Sequence, residues 1–571
     1  MGDKQLTGAE ALVEIMIEEG VEFVFGLPGG NAIPMYDALV GRNVKLILTR
    51  HEQGAVHMAD GYARATGKVG VVLVTSGPGA TNTVTGLFTA LMDSVPLVVV
   101  CGQSPTPVLG LDAFQEADVS GLTYPCVKHS YLVKDVQDIP RVMREAFYLA
   151  RTGRPGPVLI DMPKDISSAL LAIDADSKDF HLPGYSVPRE GGAKSVAEAA
   201  KLLKAARRPI LLVGHGAAIS GASSEVRELV ERMRMPAVST LLGKGVLPES
   251  HELSLGMLGM HGTAYANKAM VACDLVMSVG SRWDDRIVGN YASFCKGAVK
   301  IHVDIDPAEM DKVVKVEVGI VGDVKAVLAQ ILPLLERGDT DDWIKQVARW
   351  RREYPLAYRK EGKVRAQHVI QELRALAGDK AIFTTDVGQH QMWAAQFVGT
   401  EEPRNWITSG GAGTMGFGFP AAIGAQLGRP GELVIAIVGD GGFQMTLSEL
   451  ATMRNLGLSV KVVVINNHYL GMVRQWQNMF YDERYSGVDL EGNPDFARLA
   501  EAYGVKGYRI TRPADVRRVL KAALEHDGPC LVDAEVEKHD NVFPMIPAGA
   551  PLKDMLLEAP RRKLEKPTGG T

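Results

Sequence analysis

Residues 433–472 read LVIAIVGDGGFQMTLSELATMRNLGLSVKVVVINNHYLGM, and how this stretch is parsed decides the fold. The runs LVIAIV and KVVVI are of strand length and continuously apolar, so they read as two buried parallel strands joined by a crossover helix. Each ends in polar or glycine residues, and ligands of open α/β sheets gather at the carboxyl ends of strands. Asp440 closes the first strand with a glycine on either side, which lets a bulky anionic group approach the backbone. Asn467, 27 residues on, holds the equivalent place on the second. A carboxylate, an amide oxygen and a nearby backbone carbonyl are hard donors that hold Mg²⁺ while leaving positions open for phosphate oxygens. Alone, Gly-Asp-Gly is an ordinary turn; closing a strand and answered by Asn-Asn, it is half of a diphosphate site.

At 571 residues the chain exceeds a single hydrophobic core and should divide into about three domains. A hydrophobic share of 46% with 61 glycines and 30 prolines describes an ordered, loop-rich α/β globule. The net charge of −5 and isoelectric point near 6.3 give no global electrostatic case for nucleic acid, so anionic ligands must be met locally. Cys101, Cys126, Cys273, Cys295 and Cys530 are odd in number and form no C-x-x-C, which argues against a disulfide framework or zinc site and for a reducing cytoplasm. No apolar run approaches the roughly eighteen residues of a membrane span. The opening MGDKQLTGAEALVEIMIEEG is an amphipathic helix with a Thr7/Glu10 capping box rather than a signal peptide. Leu6 stands where myristoylation of Gly2 would want Ser or Thr. A chain trimmed of an organellar transit peptide would read the same way.

Helix and strand alternate over most of the chain, which predicts three doubly wound parallel-sheet units at 1–185, 190–345 and 365–550, with a tail at 551–571. The first has strands at FVFGLPGG, VKLILTR, VGVVLVT, PLVVVCG and PVLIDMP. The second has PILLVG, LVMSVG and KIHVDID. Its Gly-His-Gly after a strand is a weak dinucleotide-type signal that is more often a plain turn. The third, with AIFTTDVG, LVIAIVGDGG, VKVVVINN and PCLVDAEV, repeats the first, as duplication and divergence would. HLPGYSVPREGGAKS and RWRREYPLAYRKEGK read as linkers, and APRRKLEKPTGGT as a disordered tail.

The GDG-to-NN spacing resembles the motif that binds thiamine diphosphate (ThDP). That cofactor is activated by a carboxylic acid hydrogen-bonded to the far nitrogen of its aminopyrimidine. Glu52, in TRHEQGAVHMADGYARATG, is the candidate. An isolated first-turn Glu is ordinarily exposed and merely favoured by the helix dipole. Here Gly54, Ala55, Ala59, Gly61 and Ala63 make the helix small and apolar, built for burial, and a buried Glu needs a partner.

At this point the resemblance becomes specific: the chain resembles the acetohydroxyacid synthase (acetolactate synthase) family from about residue 5 to 558. The motifs that carry it are FGLPGGNAIPMYDAL, RHEQGAVHMADGYARATGKVGV, TSGPGATN, GLDAFQEAD, GRPGPVLIDMPKD, GMLGMHGT, SRWDDR, SGGAGTMGFGFPAAIGA, GDGGFQM, NNHYLGMVRQWQ and NVFPMIPAGAPLKD. The resemblance implies a ThDP-binding fold with pyrimidine, central FAD-type and diphosphate domains. It implies decarboxylation of pyruvate and transfer of its two-carbon remainder to a second 2-keto acid, the first common step of branched-chain amino-acid biosynthesis. It places Glu52, Gln115 and Gly30 at the reacting centre. Asp440, Asn467 and the carbonyl of Tyr469 fall on Mg²⁺, and Gln389, His390, Gly413, Met415, Gly441, Gly442, Leu470, Gly471 and Met472 on ThDP. Phe114, Lys128, Arg286 and Trp476 fall on substrate positions, Arg286 receiving the acceptor carboxylate and Trp476 favouring 2-ketobutyrate. FAD contacts fall on Arg154, Gly216, Thr240, Leu241, Gly259, His261, Arg282, Asp284, Asp304 and Asp323. In this family the active site lies between subunits, so a homodimer at least is implied, with a separate regulatory subunit and neither nucleic acid nor membrane as partner.

Trp283 stands for the usual phenylalanine and Asn290 for the usual lysine, and Asn31, Ser104 and Thr414 depart from the pattern near the reacting centre. Two alternatives share the same cofactor halves: a flavin-free or broad-specificity ThDP carboligase or decarboxylase, and a pyruvate-oxidase-like flavoenzyme. Aldehyde release outpacing acetolactate marks the first, and reduction of FAD by pyruvate the second.

Overall fold

The computed structural model describes residues 5–172 and 182–559; the tail sequence beyond Ala559 lies outside the described residues. The opening helix is Gly8–Glu18, and its Thr7/Glu10 capping box is formed. Three six-stranded sheets follow, each wholly parallel.

The first sheet runs Lys45–Leu48, Phe23–Leu27, Gly70–Val74, Leu97–Gln103, Pro157–Pro163, His129–Leu132. The third runs Trp406–Thr408, Ile382–Thr385, Val434–Gly439, Lys461–Asn466, Cys530–Glu535, Lys506–Ile510. Numbered within each unit, both have the order 2-1-3-4-6-5, so the likeness read in the sequence is a likeness of topology. The middle sheet runs Ser254–Met257, Ala237–Ser239, Pro209–Val213, Leu275–Val279, Val299–Asp304, Val318–Val321. Its order is 3-2-1-4-5-6, that of dinucleotide-binding folds. All three sheets have a point where strand order reverses, and the crevice at such a point is where ligands sit.

The strands absent from the sequence reading are mostly short and at sheet edges: His129–Leu132, Ser254–Met257, Val318–Val321, Trp406–Thr408 and Lys506–Ile510, with Ala237–Ser239 one place in. An edge strand is covered less completely and needs no unbroken apolar run. The charged run begins inside a helix, Asp341–Glu353, whose Trp343 and Val347 are buried against the central sheet.

Helices Glu52–Thr66 and Gly418–Gly428 join the outer domains back to back, inside one core to which both sheets contribute. The approach is so close that a Cβ on Gly424 would lie 1.8 Å from the Met58 carbonyl oxygen, and one on Gly61 2.1 Å from that of Ala421. Gly424→Ala should therefore cost at least the ~1–3 kcal/mol of ordinary overpacking. Gly431→Ala, where a Cβ meets nothing within 4 Å, is the control, and thermal unfolding of the two variants is the comparison.

Candidate active site

The paired strands Val434–Gly439 and Lys461–Asn466 hold the first half of the site. Gly439 pairs with Ile465, which brings Asp440 level with the Asn466-Asn467 end of its neighbour. Asp440 is 2% exposed, and burial pushes its carboxyl up to about 7. A buried carboxylate this poorly compensated suits a site completed by a cation. Asn493, which the sequence did not single out, donates from Nδ2 to Asp440 Oδ2 at 2.7 Å. Asn467 Oδ1 accepts the Tyr469 N–H at 3.0 Å, and the residue between them, His468, takes the left-handed φ of 58°. Such strain in a non-glycine residue at a strand end is typical of a functional turn. Among the described residues no group of three His, Cys, Asp or Glu side chains gathers to hold a metal. Asp440, Asn467 and Tyr469 line one cavity wall, which brings a carboxylate, an amide and a main-chain carbonyl to it, the hard oxygen types that suit Mg²⁺.

Across the reversal point from Asp440 lies the end of strand Ile382–Thr385. Asp386 there is fully buried and accepts N–H bonds from Val387 at 2.7 Å and Gly416 at 3.0 Å. It thus fixes the backbone next to Met415, and a Cβ on Gly442 would lie 2.6 Å from its Oδ1. Sequence reasoning passed over Asp386, although its place at the end of AIFTTDVG matches that of Asp440. Gln389 donates to Gln475 and to the Asp540 carbonyl, both at 2.9 Å, and accepts from Asn467 at 3.2 Å. His390 is buried against Gly439 with its Nε2 unpartnered, and burial lowers it to about 3. A neutral imidazole with an orphaned nitrogen on a cavity wall marks a place where a polar ligand atom is wanted.

One cavity of about 1300 Å³ runs from this half-site into the central domain. Its wall includes Gln389, His390, Gly413, Met415, Asp440, Gly441, Gly442, Asn467, Tyr469, Leu470, Gly471 and Met472. Beyond them come Trp476 and Arg286, then Arg154, Gly216, Thr240, Leu241, His261, Arg282, Asp284, Asp304 and Asp323. The volume exceeds what one small ligand fills. Arg286 is exposed, its ion pair with Asp285 loose at 3.9 Å, while the Trp476 ring leans on Phe480 at 5.0 Å. In the central sheet Val213 pairs with Val279, so Gly214 and Gly280 emerge side by side at the reversal point. A Cβ on Gly216 would stand 2.7 Å from the Gly280 Cα, so the Gly-His-Gly turn answers a packing demand there. Burial lifts Asp304 to about 6 and raises Asp284, while Asp323 caps the helix Val324–Ile331 through the Ala326 N–H.

Six sequence candidates stand apart from this cavity wall. Glu52 opens its helix in the first domain, 7% exposed, and accepts from Asn82 Nδ2 at 2.9 Å. Gly79 is its neighbour, and Gln115, with φ of 58°, packs on Gly77 of the same turn. Gly30 lies at the reversal point of the first sheet with open space where a Cβ would be. Phe114 is 87% exposed. These four follow the carboxyl ends of strands of the first sheet, Gly30 after Phe23–Leu27, Glu52 after Lys45–Leu48, and Phe114 and Gln115 after Leu97–Gln103, a second group apart from the cavity wall. Lys128 belongs to neither: its ammonium donates to the carbonyls of Leu149 and Thr152 at 2.6 and 2.7 Å and to the Tyr185 hydroxyl. Within the chain it caps the end of helix Ile139–Arg151.

Gly259 is also off the cavity wall, and it is closely packed: a Cβ there would meet the Arg286 carbonyl oxygen at 2.2 Å. Trp283 turns into the central core between Phe294 and His302, so its exchange for phenylalanine is a packing matter. Asn290 bonds the Gly549 carbonyl, Asn31 donates to Ser76, Thr414 shares a hydrogen bond with Thr89, and the Ser104 N–H donates to Gln103.

A buried ion cluster stiffens the wall. Arg64 binds Asp60 at 2.5 Å and Asp93 at 2.8 Å, and Asp93 in turn accepts N–H bonds from Gly410 and Gly411. The Asp93 carbonyl also contacts His215 Nδ1 at 2.8 Å, so three domains meet on one residue.

Family models agree with this geometry. The thiamine pyrophosphate enzyme N-terminal TPP binding domain matches residues 6–122, the central domain 196–331 and the C-terminal TPP binding domain 386–534. Fold and site together are those of a thiamine pyrophosphate enzyme. The acetolactate synthase large subunit of Lactococcus lactis subsp. lactis is 47% identical over 557 residues, spanning 97% of this chain and 96% of its own. The acetolactate synthase of Arthrospira platensis is 47% identical over 574 residues, 97% and 98% of the two chains, and the large subunit of Porphyra purpurea 45% over 589, or 100% and 98%. The chain belongs to the acetolactate synthase family.

Proposed function

We propose that the chain catalyses ThDP-dependent decarboxylation of pyruvate and joins the two-carbon remainder to a second 2-keto acid. Pyruvate as acceptor gives 2-acetolactate and 2-ketobutyrate gives 2-aceto-2-hydroxybutyrate. The observation that carries this reading is the single cavity in which the Asp440–Asn467 strand ends, Arg286 and Trp476 share a wall. Asp440, Asn467 and the Tyr469 carbonyl would hold Mg²⁺, and the residues around Met415 and Gly441 would cradle ThDP, whose thiazolium supplies the electron sink for loss of CO₂. The orphaned His390 nitrogen and the absence of Cβ atoms at Gly441 and Gly471 support that fit. FAD would occupy the deeper part of the same cavity, supported by the dinucleotide-type strand order beside it.

The remaining roles fall to the other half-site. Glu52 would hold a proton on its carboxyl for the aminopyrimidine, with Gln115 and the Gly30 amide near the reacting carbon. Because Glu52 and Asp440 do not face one cavity within the chain, a second copy is the partner that completes each site. Arg286 offers a planar fork to the acceptor carboxylate. Exclusion of water from such a pocket favours loss of the substrate's charge as CO₂. The words "large subunit" in the names of relatives support a separate regulatory chain. Among the described residues no helix is long and apolar enough to cross a membrane, and five free cysteines support the cytoplasm as its compartment.

Competition between pyruvate and 2-ketobutyrate, with and without added FAD, tests the assignment. Acetohydroxybutyrate should exceed acetolactate at equal concentrations. Trp476→Leu should erode that preference by about tenfold, the scale of one methylene in a snug pocket. Aldehyde as the main product, or FAD reduced by pyruvate at catalytic rates, would overturn it.

A further inference from the structure

The carboxylate of Glu449 belongs to the third domain, yet it spends its hydrogen bonds on the first. It is fully buried, and it accepts from the Arg50 N–H at 2.9 and 3.2 Å and from the His51 N–H at 3.1 Å. The Thr452 hydroxyl donates to its Oε2 at 2.7 Å. Arg50 and His51 form the step between strand Lys45–Leu48 and helix Glu52–Thr66, so these amides lie outside both ladders and need an outside acceptor. A Cβ on Gly54 would stand 2.4 Å from Glu449 Oε1, so the first turn of the helix leaves room for this carboxylate and little else. A negative charge suits the start of a helix, and all the groups facing it are donors.

We propose that Glu449 is a positioning residue for Glu52: it holds the two amides that precede Glu52 and so sets the angle at which that side chain leaves the helix. The inference rests on Glu52 being the acid of the reaction, as argued above. Glu449 lies nine residues beyond Asp440 in GDGGFQMTLSE. The segment that opens at the metal end of one cofactor therefore closes on the acid that serves the neighbour's. A glutamine here would keep one acceptor and turn an amide NH₂ toward backbone N–H groups, losing the fit without changing the volume.

The test combines Glu449→Gln with a milder change, Thr452→Val, which removes only the supporting hydroxyl. In cofactor-free protein, hydrogen exchange across residues 48–56 should speed up about tenfold in Glu449→Gln while the helix Gly418–Gly428 stays protected. In the loaded enzyme kcat should fall about 10- to 100-fold with KM for pyruvate within about twofold, the cost of a misplaced group. Thr452→Val should show the same pattern at smaller size, and it serves alone should Glu449→Gln not fold. The deciding comparison is Glu52→Gln against the Glu52→Gln/Glu449→Gln double variant, which should be equally slow because Glu449 acts only through Glu52. Multiplied losses in the double variant, or unchanged exchange at 48–56, would overturn the positioning role and leave that of Glu52 standing. Full turnover by Glu52→Gln itself would instead remove the reading beneath it.

Discussion

Glu52→Gln is expected to keep the fold and lose turnover by about 10²- to 10⁴-fold, the range of a removed acid–base group. The two costs separate because they come from different atoms. Gln can still accept from Asn82 Nδ2, now 2.9 Å from the Glu52 carboxylate, and it fills the same volume. What it gives up in the folded chain is at most the favourable interaction of a carboxylate with a helix N-terminus, ~0.3–1 kcal/mol. What it gives up in the reaction is the ability to exchange a proton, and a 10²-fold loss alone is about 2.7 kcal/mol. Unfolding curves that nearly coincide, alongside steady-state rates that differ by orders of magnitude, are the predicted pair of results. A large stability loss with proportionate activity would make Glu52 a structural residue.

Arg64→Ala is expected to show the reverse pattern. The guanidinium is 5% exposed and bridges two carboxylates whose side chains are wholly buried, Asp60 and Asp93. Removing it strands both charges, for which ~3–5 kcal/mol is usual. The deficit should depend on pH in a definite sense. Burial already raises the Asp60 carboxyl, and Arg64 is the main influence opposing that. A carboxyl raised in the folded state contributes stability below its unfolded value of 3.8 and loses it as pH climbs through the folded value. Without Arg64 the folded value rises further, so the variant's deficit should shrink as the solution is acidified from pH 7 toward 5. Thermal unfolding across that interval measures it, and a deficit independent of pH would mean that lost packing dominates. Because Asp93 also holds the amides of Gly410 and Gly411, the loop leading to Met415 should loosen as well.

The parts of this molecule legible in the sequence are those whose signal is local. Continuous apolar runs such as LVIAIV give central strands, and Gly-Asp-Gly with Asn-Asn marks the ends of two neighbours. HSYL, WIT and KGYRI carry no such run because an edge strand has one bonded neighbour. Function carried by distant partners was equally hidden. Nothing near Asn493 announces that it will reach Asp440 across 53 positions, and nothing near Glu449 announces Arg50, 399 positions away. The carbonyl contacts of Lys128 were hidden for the same reason, since an ammonium facing substrate and one facing main-chain carbonyls look identical in sequence. The separation of Glu52 from Asp440 within one chain was not legible in residue order; the resemblance implied it, and a cavity that includes Asp440 and omits Glu52 agrees with it.

Mixing two inactive variants measures that separation. Glu52→Gln and Asp440→Asn, each without activity alone, are dissociated, combined in equal amounts and reassociated. If each site takes its metal ligand from one chain and its acid from the other, half the dimers are mixed with one intact site each, and about a quarter of wild-type activity returns. No recovery, from chains shown to have exchanged, would mean that both residues must come from the same chain.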